Sequence, residues 1–225
     1  MMTASYASAD ATIAIVGGTG KLGAAIARRL AKAGRKVVIG SRSAESATAA
    51  AQELGHGLTG MANADAARAG DIVFVTVPWA AQDATLGEIA PHVAGKLVID
   101  TTVPLVPPRV MRVQLPAEGS AAVRAQALLG EAAIVVSGFH AVAAHKLITD
   151  ADIACDVLVF GDDKAARGVV IGLADLMGLR GLHGGALANS AAAEAMTSVL
   201  IFINKTYQVD GAGFRITGAL VPPEA

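Results

Sequence analysis

Cysteine and charge are both scarce in this 225-residue chain, and each scarcity excludes a class of protein. The single cysteine, Cys155, can form neither an internal disulfide nor a multi-cysteine metal site, which fits the reducing cytoplasm. Charged residues make up only 16% of the chain, against about a quarter in an average protein, while hydrophobic residues reach 53%. This composition excludes an intrinsically disordered chain.

An excess of positive charge is absent, because 18 Lys and Arg residues stand against 19 Asp and Glu residues. We therefore expect no attraction to nucleic acid or to anionic lipid. Uninterrupted apolar runs are also short, the best being residues 132–144 and 198–203, whereas a membrane-spanning helix needs about 20 such residues. Residues 1–10 lack the basic start and apolar stretch of a signal peptide. We predict a cytoplasmic protein with a disordered tail at residues 1–11.

Short apolar runs alternate with alanine-rich stretches of helical spacing from residue 12 to about residue 160. Runs such as IVFVTV and AIVVSG are continuous, as in parallel strands that are buried on both faces. This succession predicts right-handed βαβ units and an α/β fold with a doubly wound parallel sheet, the Rossmann dinucleotide-binding fold. The predicted strands are residues 12–16, 36–40, 72–77, 96–100, 134–138 and 156–160.

The pattern changes after residue 161. A helix at 164–177, a short extended piece at 179–183 and a long apolar helix at 189–207 follow one another. We predict a nucleotide-binding domain at 12–161 and a small C-terminal α/β lobe at 162–225 that closes the cofactor cleft. A lobe of this size has little core of its own, so it should lean on the first domain or on a second subunit.

The first predicted strand runs into residues 17–23, GGTGKLG, which contain the pattern G-x-G-x-x-G. With a strand before it and a helix opening inside it, the pattern predicts a turn that binds the pyrophosphate of a dinucleotide at the helix N-terminus. A plain glycine-rich turn is the alternative. A nucleoside-triphosphate loop is disfavoured, because Leu22 rather than Ser or Thr follows Lys21.

The second predicted strand ends in Ser41, Arg42 and Ser43, where an NAD-binding protein carries an acidic residue. A guanidinium can bind a ribose 2′-phosphate through two hydrogen bonds, and the two serines can donate to it. We therefore predict NADP(H), unless Arg42 is simply an exposed side chain. The third predicted strand ends in Val77, Pro78 and Trp79, which should flank the dinucleotide, although Trp79 could equally be ordinary packing.

These motifs together resemble the NADPH-dependent coenzyme F420 reductases, which transfer a hydride between NADPH and the deazaflavin F420. The resemblance extends over residues 12–218. It rests on IVGGTGKLG at 15–23, IGSRS at 39–43, TGM at 59–61, VTVPW at 75–79, VVSGFHAVAA at 135–144, FGDD at 160–163, LANSAAAE at 187–194 and GFRITG at 213–218.

The resemblance implies a role for each part of the candidate site. The pyrophosphate would contact the turn residues Gly18, Thr19, Gly20, Lys21 and Leu22, and the 2′-phosphate would contact Ser41 and Arg42. The nicotinamide would lie beside Val77, Pro78, Trp79 and Ala144. The deazaflavin would lie beside His140, Val142, Ala212 and Gly213, in the cleft between the two lobes. The resemblance also implies a homodimer.

Hydride transfer between two rings asks little acid–base chemistry of the protein. We expect no obligatory catalytic side chain and no metal, and His140 is the candidate for a supporting catalytic role, either donating to a ring carbonyl or relaying a proton. The alternative is a histidine that is merely hydrogen-bonded near the lobe junction.

Two other functions stay open. One is an NADPH-dependent reductase of an imine, carbonyl or flavin-like acceptor, with His140 or Lys146 as proton donor, and the other is a non-catalytic NADP-binding redox sensor.

Overall fold

The computed structural model describes residues 5–221, which form one eight-stranded sheet with helices on both faces. The strands are β1 (Ile13–Val16), β2 (Val37–Ser41), β3 (Thr59–Ala62), β4 (Ile72–Val75), β5 (Leu97–Asp100), β6 (Ile134–Ser137), β7 (Asp156–Phe160) and β8 (Arg180–Gly185). The helices are α1 (Lys21–Lys32), α2 (Ala44–Leu54), α3 (Asn63–Ala69), α4 (Trp79–Ile89), α5 (Ala121–Leu129), α6 (Ala144–Leu147), α7 (Lys164–Leu176) and α8 (Ser190–Tyr207). Short 3-10 helices lie at Ser5–Ala7, Ala90–His92 and Leu187–Asn189.

The strand order is β3-β2-β1-β4-β5-β6-β7-β8, and neighbouring strands are parallel except β6 and β7, which meet antiparallel. The predicted doubly wound sheet is therefore confirmed, and each of the six predicted strands coincides with an observed strand. The sequence analysis misses β3, because this edge strand reads TGMA and lacks a buried apolar run.

Both faces of the sheet are buried, as the continuous apolar runs predict. Successive residues of a strand point to opposite faces. Ile13 and Ile15 pack with α1, α2 and α7, whereas Ala14 and Val16 pack with α3, α4 and α5. Helices cover both faces of the central strands, so a ligand there can reach the sheet at the strand ends. The edge strand β8 is less covered, and a cavity of about 830 Å³ lies beside it.

The C-terminal part differs from the predicted separate lobe. Strands β7 and β8 extend the same sheet, and α7 contributes Val170 and Leu173 to the core that also contains Ile13. The boundary predicted near residue 162 therefore coincides with no break in the sheet. Strand β7 lies in the predicted first domain and pairs in parallel with β8 of the predicted lobe, so the sheet continues across this boundary.

The predicted N-terminal tail also differs from the structure where it is described. Tyr6 is only 7% exposed and packs with Ala11 in the main core. An aromatic ring buries a large apolar area, which offsets the entropy lost in ordering a terminus. Residues 1–4 of the predicted tail lie outside the described residues.

One helix of the described residues, 187–207, is long and apolar enough by length and composition to cross a membrane. This helix contains no long uninterrupted apolar run, because polar residues such as Asn189, Glu194 and Asn204 divide it. In the structure, 39% of its most apolar window is buried within the protein. A single helix of this kind is weak support for a membrane span, because the core helix of a soluble protein passes the same test.

Gly23 determines how closely α1 can lie on the sheet. A Cβ added at Gly23 would meet the Thr76 hydroxyl and approach the Cα of Gly18 to 2.8 Å. We expect Gly23→Ala to lower the free energy of unfolding by about 1–3 kcal/mol, because α1 must move away from β1 and β4. Urea denaturation measures this loss.

The matched control is Gly168→Ala on α7, where the added Cβ meets no neighbour within 4 Å. This substitution should raise the free energy of unfolding by about 0.5–1 kcal/mol, because alanine favours a helix interior. Equal effects of the two substitutions would show that close packing at Gly23 does not limit stability.

Candidate active site

The glycine-rich turn joins β1 to α1 at the carboxyl edge of the sheet. Gly17 has a φ of +74°, which few residues other than glycine adopt, and a Cβ at Gly18 would lie 2.7 Å from the Ile15 carbonyl oxygen. Gly20 precedes the first helical residue, Lys21, without a side-chain cap. The first-turn amides of α1 have no partner within the helix, so they are available to an anion.

A buried asparagine that the sequence analysis misses supports this turn. The side-chain oxygen of Asn63, at the start of α3, accepts a hydrogen bond of 3.2 Å from the Gly17 amide. Asn63 is 2% exposed, and it follows the overlooked strand β3. In the sequence, Asn63 is the polar residue directly after TGMA. Its supporting role could be predicted only if TGMA were first recognised as strand β3.

The end of β2 lies beside the turn, as predicted. The hydroxyl oxygens of Ser41 and Thr19 are 3.4 Å apart. Arg42 is exposed, and its guanidinium makes no hydrogen bond or ion pair with any residue between 5 and 221. Ser43 differs, because its hydroxyl accepts from the Ser46 amide and lies 2.5 Å from a Glu45 carboxylate oxygen. Ser43 therefore caps α2, and its hydroxyl is already engaged.

Val77, Pro78 and Trp79 follow β4, and Trp79 begins α4. Val77 borders the turn, because a Cβ at Gly17 would lie 2.6 Å from one of its methyl groups. The Arg124 guanidinium lies 5.8 Å from the centre of the half-buried Trp79 ring. Arg124 is itself held by a two-bond pair with Asp83, at 2.9 and 2.5 Å. Part of the Trp79 side chain is thus engaged in packing.

His140 follows β6 in a strained turn. Phe139 has a φ of +65°, which a bulky residue seldom adopts, and its ring packs against Phe74. His140 is 8% exposed, and its Nε2 lies 2.8 Å from the Ser137 hydroxyl oxygen. Burial lowers the pKa of His140 to about 4, so the imidazole is neutral near pH 7.

Two cavities that share His145 are lined by six of the predicted site residues, and the other ten, from Gly18 to Gly213, line neither of them. The α8 cavity, of about 390 Å³, is lined by His140, Val142 and Ala212 together with the α8 residues Thr197, Leu200, Ile201 and Asn204. The α1 cavity, of about 440 Å³, is lined by Thr19, Lys21 and Ala144 among others. His145 lines both cavities. The histidine segment, residues 139–145, therefore lies between the glycine turn and α8.

The returning segment, residues 208–214, follows α8 and passes along the α8 cavity, where several contacts hold it. The Ala212 amide donates to the Asn204 side chain at 2.8 Å, and Gly213 leaves room for Cys155, whose sulfur would lie 2.6 Å from an added Cβ. Asp210 lies 2.7 Å from Nε2 of His145, and this contact holds the pKa of the Asp210 carboxyl below its usual value. Ala212 and Gly213 therefore lie close to residues 139–145, the segment that contains His140 and His145.

Two buried carboxyl groups near this edge escaped the sequence analysis. Asp100, the last residue of β5, accepts from the Thr102 hydroxyl at 2.7 Å and from the Gln82 amide at 2.8 Å. Glu194 of α8 accepts from the amides of Ala121 and Ala122, at 2.7 and 3.2 Å. Burial raises the pKa of Asp100 to about 6 and that of Glu194 to about 7. In the sequence, Asp100 and Glu194 each stand out only as a single acidic residue beside apolar residues.

The comparison with known proteins agrees with this geometry. The family model described as NADP oxidoreductase, coenzyme F420-dependent, matches residues 12–104. An F420-dependent NADP reductase of Methanocaldococcus jannaschii is 38% identical over 220 residues, covering 91% of this chain and 97% of the relative. The chain belongs to this family.

Two further relatives support the assignment. The F420-dependent NADP reductase of Methanothermobacter thermautotrophicus is 38% identical over 218 residues, which cover 91% of this chain and 94% of that protein. The crystal structure of an Arthrobacter sp. FB24 protein, provisionally described as an F420-dependent NADP reductase, aligns with a TM-score of 0.78 at 25% identity. This alignment covers 92% of this chain and 99% of the Arthrobacter chain. The resemblance recognised from the motifs is confirmed.

The raised pKa of Glu194 predicts how stability depends on pH. Between its ordinary value of 4.5 and about 7, the folded protein keeps a proton that the unfolded chain has released. The free energy of unfolding should therefore fall as pH rises through this window, by up to about 1.4 kcal/mol per pH unit from this group.

Glu194→Gln removes this titration, while Asp100 and His140 titrate in both proteins. Urea denaturation at pH 5.5, 6.5 and 7.5 should therefore give a flatter profile for the variant than for the wild type. Parallel profiles would show that Glu194 keeps an ordinary pKa in the folded state.

Proposed function

We propose that this protein transfers a hydride between NADPH and coenzyme F420. The observation that carries the proposal is the adjoining pair of cavities, one at the glycine turn and one under α8, in a chain of the F420-dependent NADP reductase family. A nicotinamide beside Ala144, which lines the α1 cavity, could approach a second redox ring in the α8 cavity, as hydride transfer requires.

The NADPH half of the site follows from the contacts at the carboxyl edge. The amides around Gly18, Thr19, Gly20, Lys21 and Leu22 would bind the pyrophosphate at the α1 N-terminus. The free guanidinium of Arg42 would bind the 2′-phosphate, with Ser41 donating beside it. Ser43 contributes its position at the start of α2 rather than its hydroxyl, which the Ser46 amide and Glu45 occupy.

The ring half of the site lies between β4 and α8. Val77, Pro78 and Trp79 would border the nicotinamide on one side and Ala144 on the other. The α8 cavity, with His140, Val142 and Ala212 at its walls and Gly213 directly after them in the chain, would take the deazaflavin. NADPH supplies the hydride and the deazaflavin accepts it, so the protein's task is to hold the two rings at about 3–3.5 Å and to exclude water.

His140 would serve as a hydrogen-bond donor in this arrangement. Where the Ser137 hydroxyl donates to Nε2, the imidazole proton lies on Nδ1. With a pKa of about 4, only about one molecule in a thousand is protonated at pH 7. This low fraction disfavours the alternative of an imine or carbonyl reductase with His140 as its acid. The cavity under α8 likewise favours an enzyme over a redox sensor, which needs no second ring site.

We further propose that α8 forms part of a homodimer contact. Its apolar side chains Met196, Val199 and Phe202 are 43%, 39% and 51% exposed. They lie on the side of α8 away from Glu194 and Ala193, which pack inward. A second copy would remove this apolar surface from water.

The cytoplasmic location expected from the single cysteine remains a prediction.

A direct assay tests the proposed reaction. The protein is mixed with NADPH and F420 without oxygen, and the absorbance of the oxidised deazaflavin is followed. We expect this absorbance to decay only when protein, NADPH and F420 are all present. A parallel reaction with FMN in place of F420 should be much slower. Persistence of the deazaflavin absorbance while NADPH binds normally would contradict the proposal.

Arg42 tests the preference for the phosphorylated dinucleotide. Loss of a charge-assisted pair costs about 1.5–3 kcal/mol, so Arg42→Ala should weaken NADPH binding by roughly 10- to 150-fold. Binding of NADH should change by less than about twofold. Titrations that follow nicotinamide fluorescence measure both affinities.

The matched control is Arg68→Ala, at the opposite edge of the sheet near Lys96 and His92. This variant should bind both dinucleotides as the wild type does. Equal losses of NADPH and NADH affinity in Arg42→Ala would show that Arg42 does not bind the 2′-phosphate.

A further inference from the structure

Glu194 connects α8 to the N-terminus of α5 through a buried carboxyl group. Its two carboxylate oxygens accept from the amides of Ala121 and Ala122, and the side chain is 1% exposed. These amides belong to the first turn of α5 and have no partner within that helix. One residue of α8 thus satisfies two of the four open donors of α5.

A second contact lies one turn earlier on α8. The Ser190 hydroxyl donates to the Ser120 hydroxyl oxygen at 2.9 Å, and Ser120 itself accepts from the Val123 amide at 3.0 Å. Ser190 and Glu194 are four residues apart, so both face α5. The first part of α8 is therefore fixed to α5 in both register and rotation.

The next turns of α8 form a wall of the α8 cavity. The Thr197 hydroxyl, three residues after Glu194, lies 3.3 Å from the His140 carbonyl oxygen and shares its hydrogen between that oxygen and the Ala193 carbonyl oxygen at 3.0 Å. Asn204 accepts from the Ala212 amide and so holds the returning segment. Leu200 and Ile201 line the cavity between these two contacts. Both the histidine segment and the returning segment thus depend on where α8 points.

We propose that Glu194 is a positioning residue for the acceptor: by fixing α8 on α5, it sets the width of the α8 cavity in which the second redox ring lies. The inference rests on the proposed function, because it assigns the α8 cavity to the acceptor. It does not involve the dinucleotide phosphates, which lie at the α1 N-terminus.

The length of α8 makes this position sensitive. Asn204 lies ten residues beyond Glu194, which is about 15 Å along a helix. A tilt of about 5° at Glu194 therefore moves Asn204 by about 1 Å, and a misplacement of this size can change a reaction rate about 100-fold. Apolar contacts alone would not prevent such a tilt, because they are non-directional.

Kinetic measurements on Glu194→Ala and Glu194→Gln test the proposal. Glu194→Ala leaves both α5 amides without their acceptor, and we expect the KM for F420 to rise roughly tenfold while the Kd for NADPH changes less than twofold. Glu194→Gln retains one acceptor oxygen and should show a smaller rise. Glu88→Gln, an exposed residue of α4, is the control and should match the wild type. A purely structural defect would change both affinities together.

Hydrogen exchange provides a readout that needs neither ligand. In Glu194→Ala, amides of α8 beyond residue 196 and of residues 208–214 should exchange at least tenfold faster, while those of β1 and β2 should not change. If Glu194→Ala does not fold, Ser190→Ala and Glu194→Gln, which remove single bonds of the same contact, should show the same pattern at smaller size.

Three results would overturn the proposal. The first is unchanged exchange in α8 in a folded Glu194→Ala protein, and the second is a loss of NADPH affinity equal to the rise in the KM for F420. Failure of the proposed function can be distinguished from these results, because the wild-type protein itself would then not reduce F420. Faster exchange in α8 without any change in F420 kinetics would also overturn it, since the position of α8 would then not matter to the acceptor.

Discussion

The close contact of α1 with the sheet is the constraint on which the NADPH half of the site depends. Gly23 has no side chain between α1 and the strands, so the helix begins directly beyond the end of β1. Its unpaired amides then face the same edge as the ends of β2 and β4. Thr19, Ser41 and Val77 meet there because parallel strands end at a common edge.

The acceptor half depends instead on contacts between elements that are far apart in sequence. The α8 cavity requires a histidine segment after β6, a helix that begins fifty residues later and a segment that returns after that helix. Single hydrogen bonds hold these parts together, from Thr197 to the His140 carbonyl and from Ala212 to Asn204. This half of the site therefore has less support from regular secondary structure than the glycine turn has.

The difference between local contacts at the glycine turn and long-range contacts at the α8 cavity explains which features the sequence could predict. Local patterns predicted the glycine turn, the ends of β2 and β4 and the course of the sheet, because each is determined by neighbouring residues. The sequence analysis missed β3, which is an exposed edge strand, and with β3 it missed the support that Asn63 gives to Gly17. The boundary predicted near residue 162 falls between β7 and β8, and no local signal shows that these two strands pair. Ser43 fits a phosphate by residue type, but its hydroxyl caps α2.

Charge inside the site follows from the same burial. Desolvation keeps His140 neutral and raises the pKa values of Asp100 and Glu194 towards neutrality, so each of these groups carries less charge than its exposed counterpart at the same pH. A weakly charged interior suits hydride transfer, in which the reacting rings supply the electronics and the protein supplies distance and dryness. Under the proposed function, the exposed Arg42 would have the opposite role, because a fixed cation discriminates between dinucleotides that differ by one phosphate. The fixed cation of Arg42 is thus exposed, whereas the buried His140, Asp100 and Glu194 carry less charge than exposed groups of their kind.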